Sequence, residues 1–234
     1  MNRLNRLILA FAVLSAFFTI APAFLSSQFT FYPLMKNGDI LDLFTPLVLI
    51  PLYWLIFQIS PQCLFSQQEI IVFIVLVVMW VQGQGMHLVG NSIGHLITNL
   101  AIDSNIAKLT YFYDETLSHY WWHIGLIGLS ALLIYRQWQH PFFYQSSKLK
   151  LEIVAGVIYG CNYFIDIIES GTTLIGVPFA VAIVFFVMFR GRKHLQQQPI
   201  LAFFFVAYLI AGLFFFGWGL YWGGLPEFSE VGII

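Results

Sequence analysis

Apolar residues in this chain neither alternate nor form one-sided stripes; they run on in blocks about as long as a bilayer is thick. A hydrocarbon core of ~30 Å needs about 20 apolar residues per helix. Seven stretches meet that length: 7–25, 40–60, 69–93, 116–136, 151–169, 172–190 and 199–220. The pattern predicts an all-α, polytopic transmembrane helix bundle of about seven helices, a single integral-membrane domain over 1–234. Pro46 and Pro51 are expected to bend the second helix, and Glu169-Ser170-Gly171 to make a tight re-entry between the fifth and sixth. The first stretch reads two ways. Arg3 and Arg6 before it and Ala21-Pro22-Ala23 after it suit an uncleaved anchor or a cleavable signal, which would leave six helices; the anchor is the expectation.

Polar positions interrupt three blocks in register. His87, Asn91 and His95 are spaced i, i+4, i+8, as are Glu115, His119 and His123; Asn162, Asp166 and Glu169 follow at i, i+4, i+7. Residues four apart share a helix face. An ionisable side chain at the bilayer centre costs at least about 2.5–3.5 kcal/mol unless it faces the bundle interior with partners, so these stripes are the place to look for function. The inner halves of the fourth and sixth helices, Gly125–Tyr135 and Val181–Phe189, carry essentially no ionisable groups, so the polar cluster is expected to stop near mid-depth.

Composition and charge narrow the classes. Only 9% of the 234 residues are charged, against about 25% for soluble domains, so lipid replaces water over most of the surface. A net charge of −1 with no basic stripe excludes nucleic acid as the expected partner. That leaves membrane lipid and an apolar or lipid substrate, with oligomerisation open. Cys63 and Cys161 lie in unlike contexts, and no disulfide is expected. With the N-terminus inside, Arg3, Arg6, Arg136, Lys148, Lys150, Arg190, Arg192 and Lys193 fall inside and only Lys36 and Lys108 outside. This bias predicts an inside N-terminus, an outside C-terminus and a bacterial inner membrane or comparable membrane. At 1.5 Å per residue all three stripes then lie in the outer leaflet.

The stripe residues suggest chemistry. Two imidazoles at i, i+4 can chelate one ion, and His87 supplies a third at the same depth. His87, His119 and His123 are the expected metal ligands, with Glu115 and Glu169 as further ligands or bases and Asp166 beside them. Imidazole and carboxylate donors suit zinc or iron. Asp114 reads as an N-cap; His95, His140 and His194 as interfacial or solvated; Trp121, Trp122, Trp218, Tyr221 and Trp222 as interfacial belt, the other aromatics as mostly lipid-facing. Gly83 and Gly85 would let a backbone or a substrate come close. In layout the chain resembles the membrane hydrolase superfamily of alkaline ceramidases and adiponectin-type receptors, which hold zinc with three histidines. That family takes two ligands as H-x-x-x-H from a late helix; here the pair is in the fourth of seven and the seventh has no histidine. The family's ligand set is not carried over. The expected function is a metal-dependent membrane enzyme acting on a lipid, a hydrolase or a di-iron oxidase or desaturase. A proton- or metal-coupled transporter and a structural subunit are the rival classes.

Overall fold

The computed structural model of the chain describes residues 2–59, 65–97, 104–141 and 149–233. These are 83% helical with no strand among them. The helices are α1 (Asn2–Ile20), α2 (Asn37–Ile59), α3 (Gln67–Gly94), α4 (Asn105–Tyr111), α5 (Ser118–Gln139), α6 (Lys150–Glu169), α7 (Thr173–Phe186) and α8 (Pro199–Trp222). They make seven runs long and apolar enough to cross a membrane, and the chain is an all-α integral-membrane bundle. Cys63 and Lys148, used above for the disulfide and charge arguments, lie outside the described residues, as does the side chain of His194.

Six runs fall within a few residues of the apolar blocks. The fourth does not. α4, a π-helical segment (Phe112–Leu117) and α5 form one run, Asn105–Gln139. Its cap is Ser104, whose hydroxyl accepts from the Ala107 N–H at 3.2 Å. Asp114 is therefore no N-cap; it lies well inside the run. Lys108, Asp114 and Glu115 dilute hydropathy there, but a helix satisfies its own backbone whatever its side chains are. α2 continues through both Pro46 and Pro51, and the tight re-entry is as expected, with Gly171 at φ +62° between α6 and α7.

Close packing comes from glycine. α3 lies on α5 and α6 on α8, the two most extensive helix contacts. A Cβ on Gly83 would stand 2.6 Å from the Ser118 carbonyl oxygen, and one on Gly156 2.9 Å from that of Phe203. In lipid, helices associate by such close approach, because lipid tails are as apolar as a helix surface. The aromatics expected mostly at lipid divide between the surface and the core. Trp80, Tyr53, Tyr159, Tyr163, Tyr208 and Phe11 are among the largest fully buried side chains. Tyr53, Tyr163 and Trp80 each find a polar partner there, at Ser130, the Gly176 carbonyl and Gln84, which the acyl chains would not offer. α1 is part of this core, with Leu4, Ile8, Phe11 and Ala12 buried.

The two ends of the bundle differ. One, the basic end, holds Arg136, whose Nη1 donates to Glu69 Oε1 at 2.9 Å. The guanidinium also lies 4.3 Å from the Phe65 ring centre and 5.0 Å from that of Phe57. Glu69 completes a capping box with Ser66 at the start of α3. Gln137 Oε1 accepts from the Ile200 and Leu201 N–H groups at 2.6 and 3.0 Å, closing the start of α8.

Candidate functional site

The polar stripes meet at the opposite end. α3 brings His87 to His119 of α5, ring centres 4.9 Å apart. One turn on, the His123 ring centre is 6.4 Å from that of His119, and Asp166 of α6 places Oδ2 3.1 Å from His123 Nε2. Two clusters result.

The first is built on the π segment. The Ser118 N–H bonds the Tyr113 carbonyl, an i→i+5 bond, and the Ser118 hydroxyl bonds that of Asp114. Five residues of α-helix turn a side chain about 140°, which would point Asp114 away from His119. A π turn carries i and i+5 close to one face. Gly90 receives it: a Cβ there would stand 2.7 Å from the Asp114 Cβ. Asp114 Oδ1 lies 2.8 Å from His87 Nδ1, yet off the line of a hydrogen bond. Neither atom completes one, and neither does His119 Nδ1; all three are buried. Glu115 Oε2 is 3.8 Å from His119 Nδ1, on a side chain still 40% exposed. Asp42 is within electrostatic reach of His87, and Glu169 and Glu227 within that of Glu115.

The second cluster is closed. His123 is fully buried, with Nε2 on Asp166 and Nδ1 2.9 Å from Thr172 Oγ1, which touches Ser170 Oγ at 2.8 Å. With Asp166 as carboxylate, Nε2 carries the imidazole proton and Nδ1 accepts from the Thr172 hydroxyl. Both nitrogens are occupied while these bonds stand. Trp122 stacks on the ring at 5.1 Å and 13°; it belongs to the site and not to an interfacial belt. Below Asp166 a void of about 10 Å³, room for about one water, is lined by Thr45, Trp122, Tyr159 and Asn162. Thr45, Trp122 and Asn162 each present a buried polar atom without a protein partner. Tyr53 bonds Ser130 at 3.1 Å beyond it, so hydroxyl groups reach mid-depth. There the polar path on α5 ends. The next four residues, Ala131-Leu132-Leu133-Ile134, are wholly apolar and separate Ser130 from the exposed Tyr135 and the buried Arg136.

The remaining residues sit apart. Glu169 Oε2 accepts from the Phe228 N–H at 3.2 Å, which folds the segment after α8 back over the site. Trp218 Nε1 donates to the Pro226 carbonyl at 3.0 Å in the same fold-back. Burial, and then the charge of Glu230, raise the pKa of Glu227 in this segment. His95 is exposed, with Nδ1 3.2 Å from Lys36 Nζ; desolvation and that ammonium lower its pKa. Gln84 is structural, accepting from Trp80 Nε1 at 2.9 Å. Beside the first cluster an apolar groove of about 490 Å³ runs between α3 and α4.

Fold and site define an integral-membrane helix bundle with a buried histidine–carboxylate cluster at one end. No protein-family model, curated protein or solved structure matches the chain. Among the described residues no three His, Cys, Asp or Glu side chains already form a group that could hold a metal. Imidazole and carboxylate are nonetheless donors of the kind that zinc and iron take. Two imidazoles on a tetrahedral ion at ~2.0–2.1 Å have ring centres about 5 Å apart, close to the His87–His119 spacing. Sequence reasoning gave Asp114 and Trp122 other roles, and it did not foresee Asp42 beside the site or the bond from Thr172 to His123. Only a signal for the π turn would have revealed Asp114, and none is legible at 112–117.

Proposed function

We propose that the protein is a metal-dependent membrane hydrolase acting on a lipid or other apolar substrate, with zinc or iron held by His87, His119 and Asp114. One observation carries this reading: the His87 and His119 rings, 4.9 Å between centres, and the Asp114 carboxylate, 2.8 Å from His87 Nδ1, converge as buried donor groups. His119 Nδ1 has no hydrogen bond; leaving such an atom unpaired costs about 1–3 kcal/mol, a cost that ligation would offset. A bound ion would bring the pKa of a water to about 7. Glu115, at the rim, is placed to take a proton, and the Asp166–His123–Thr172 chain holds the neighbouring turn of α5 in position. The site end carries Lys36 and Lys108, whereas Arg3, Arg6, Arg136, Lys150, Arg190, Arg192 and Lys193 belong to the other. The positive-inside rule therefore favours a site facing the outer side of a bacterial inner membrane or a comparable one.

Metal analysis of protein purified in mild detergent tests this. About one equivalent is expected, lost in His119→Ala and Asp114→Asn and kept in His140→Ala. Occupancy should fall below about pH 6, since imidazole must be neutral to ligate. Oxygen-dependent turnover would select an oxidase or desaturase instead. Gradient-driven proton or metal flux in liposomes, abolished by Glu115→Gln, would replace the enzyme with a transporter.

A further inference from the structure

The void beneath Asp166 is lined by polar side chains from α2, α5 and α6 that find no partner in the protein. Thr45 Oγ1, Trp122 Nε1, the Tyr159 hydroxyl and Asn162 Oδ1 are all buried, belong to lining residues and complete no hydrogen bond. The Asn162 amide is anchored at its other end, where Nδ2 donates to Thr19 Oγ1 at 3.3 Å. A threonine in a helix often returns its hydroxyl to the carbonyl four residues back; Thr45 does not. Inside a bilayer no solvent stands by to satisfy such groups, so four of them around one void mark an occupant. Volume and chemistry say which. A void of about 10 Å³ has room for about one water and for nothing larger. A bare cation would be held by the oxygens and the Asp166 carboxylate, but the Trp122 N–H can only donate, and a cation cannot accept from it. Water both accepts and donates.

We propose that this void is a binding site for one water molecule, which accepts from Trp122 Nε1 and donates to Asn162 Oδ1 and to the Asp166 carboxylate. A hydroxyl of Thr45 or Tyr159 supplies the fourth bond, so the water's two donors and two acceptors are all used. It gives Asp166 a second partner beside His123 Nε2. It also ties α2 and α6 to the turn of α5 that carries Trp122 and His123, whose rings stack on each other. The polar chain that starts at Thr172 thus continues through His123, Asp166 and the water to the mid-depth hydroxyls. The site uses none of the chemistry of the proposed metal centre.

X-ray radiolytic footprinting of the full chain in nanodiscs tests this, because radicals formed from a bound water oxidise the side chains it touches even where bulk water does not reach. Tyr159 and Tyr208 are alike in type and burial, but only Tyr159 lines the void. Oxidation of Tyr159 should exceed that of Tyr208 at least five-fold in the wild type, a contrast that needs no variant. Thr45→Leu, whose larger apolar side chain fills the void, should bring Tyr159 down to the level of Tyr208. Asn162→Leu, which removes an acceptor, should do the same and is the second variant should the first not fold. Equal oxidation of the two tyrosines in the wild type would mean a dry void and overturn the proposal, as would oxidation of Tyr159 that the substitutions leave unchanged. A fall in Tyr159 oxidation when sodium chloride replaces choline chloride would place a cation there and overturn it as well.

Discussion

The two ends of this bundle pair their principal buried charge differently. At the basic end Arg136 is 1% exposed, yet it has Glu69 at 2.9 Å and two aromatic faces around its guanidinium. At the other end His87, Asp114 and His119 come as close without completing a hydrogen bond at the atoms that face one another. The first arrangement gives its charge a protein partner, although Gln137 Nε2, Gln198 Oε1 and both oxygens of the buried Glu152 at that end also lack hydrogen bonds. On the proposed reading the second awaits a metal ion, and the π segment and Gly90 bring its carboxylate beside His87. The difference separates polar groups that hold the fold from polar groups that the fold holds ready.

The largest expected effect breaks the first end. Glu69→Ala leaves Arg136 buried without its carboxylate and should destabilise the bundle by roughly 3 kcal/mol, the lower part of the range for one-sided loss of a buried pair, because Glu69 still reaches water. Unfolding in mixed micelles measures it. Zinc at a hundredfold excess over its dissociation constant should stabilise the wild type by about 2.7 kcal/mol and His119→Leu not at all. Without metal, His119→Leu should cost less than Glu69→Ala, since it removes an unpartnered polar atom. A loss as large as that of Glu69→Ala would erase the contrast.

Gly90→Ala sharpens the comparison within the site. Its methyl would push Asp114 away, at about 1–3 kcal/mol for overpacking, and should weaken metal binding; Gly85→Ala, in open space, should do neither. Glu115→Gln should slow turnover by about 100-fold or more if it is the base, with metal content retained.

Much of this was legible in the sequence. Blocks of about 20 apolar residues specify helices in lipid because no other single-segment element satisfies its backbone there, and the i, i+4 stripes on α3, α5 and α6 specify which faces meet. What was hidden depends on a departure from that periodicity. One π turn brings Asp114 onto the helix face that meets α3, and spacing rules built on about 3.6 residues per turn cannot show it. The core position of the tyrosines was hidden for another reason: in lipid, hydrophobicity does not sort inside from outside.

The smallest effect concerns the segment folded over the site. The pKa of Glu227 is raised in the fold, so its contribution is present below the ordinary value of 4.5 and is lost as pH rises through the higher folded value. Hydrogen exchange of 223–233, corrected for intrinsic rate, should show weaker protection as pH rises through that window, while α8 is unchanged. Equal protection on both sides would mean that Glu227 plays no part in docking the segment.

The most direct measurement of the central claim is metal K-edge absorption on detergent-purified wild type and Asp114→Asn, with zinc or iron content determined on the same samples. The account predicts about one ion per chain in a nitrogen and oxygen shell containing two imidazoles, and loss of that ion in the variant. A variant that binds the same ion with the same shell, or a metal-free wild type with full activity, would contradict it.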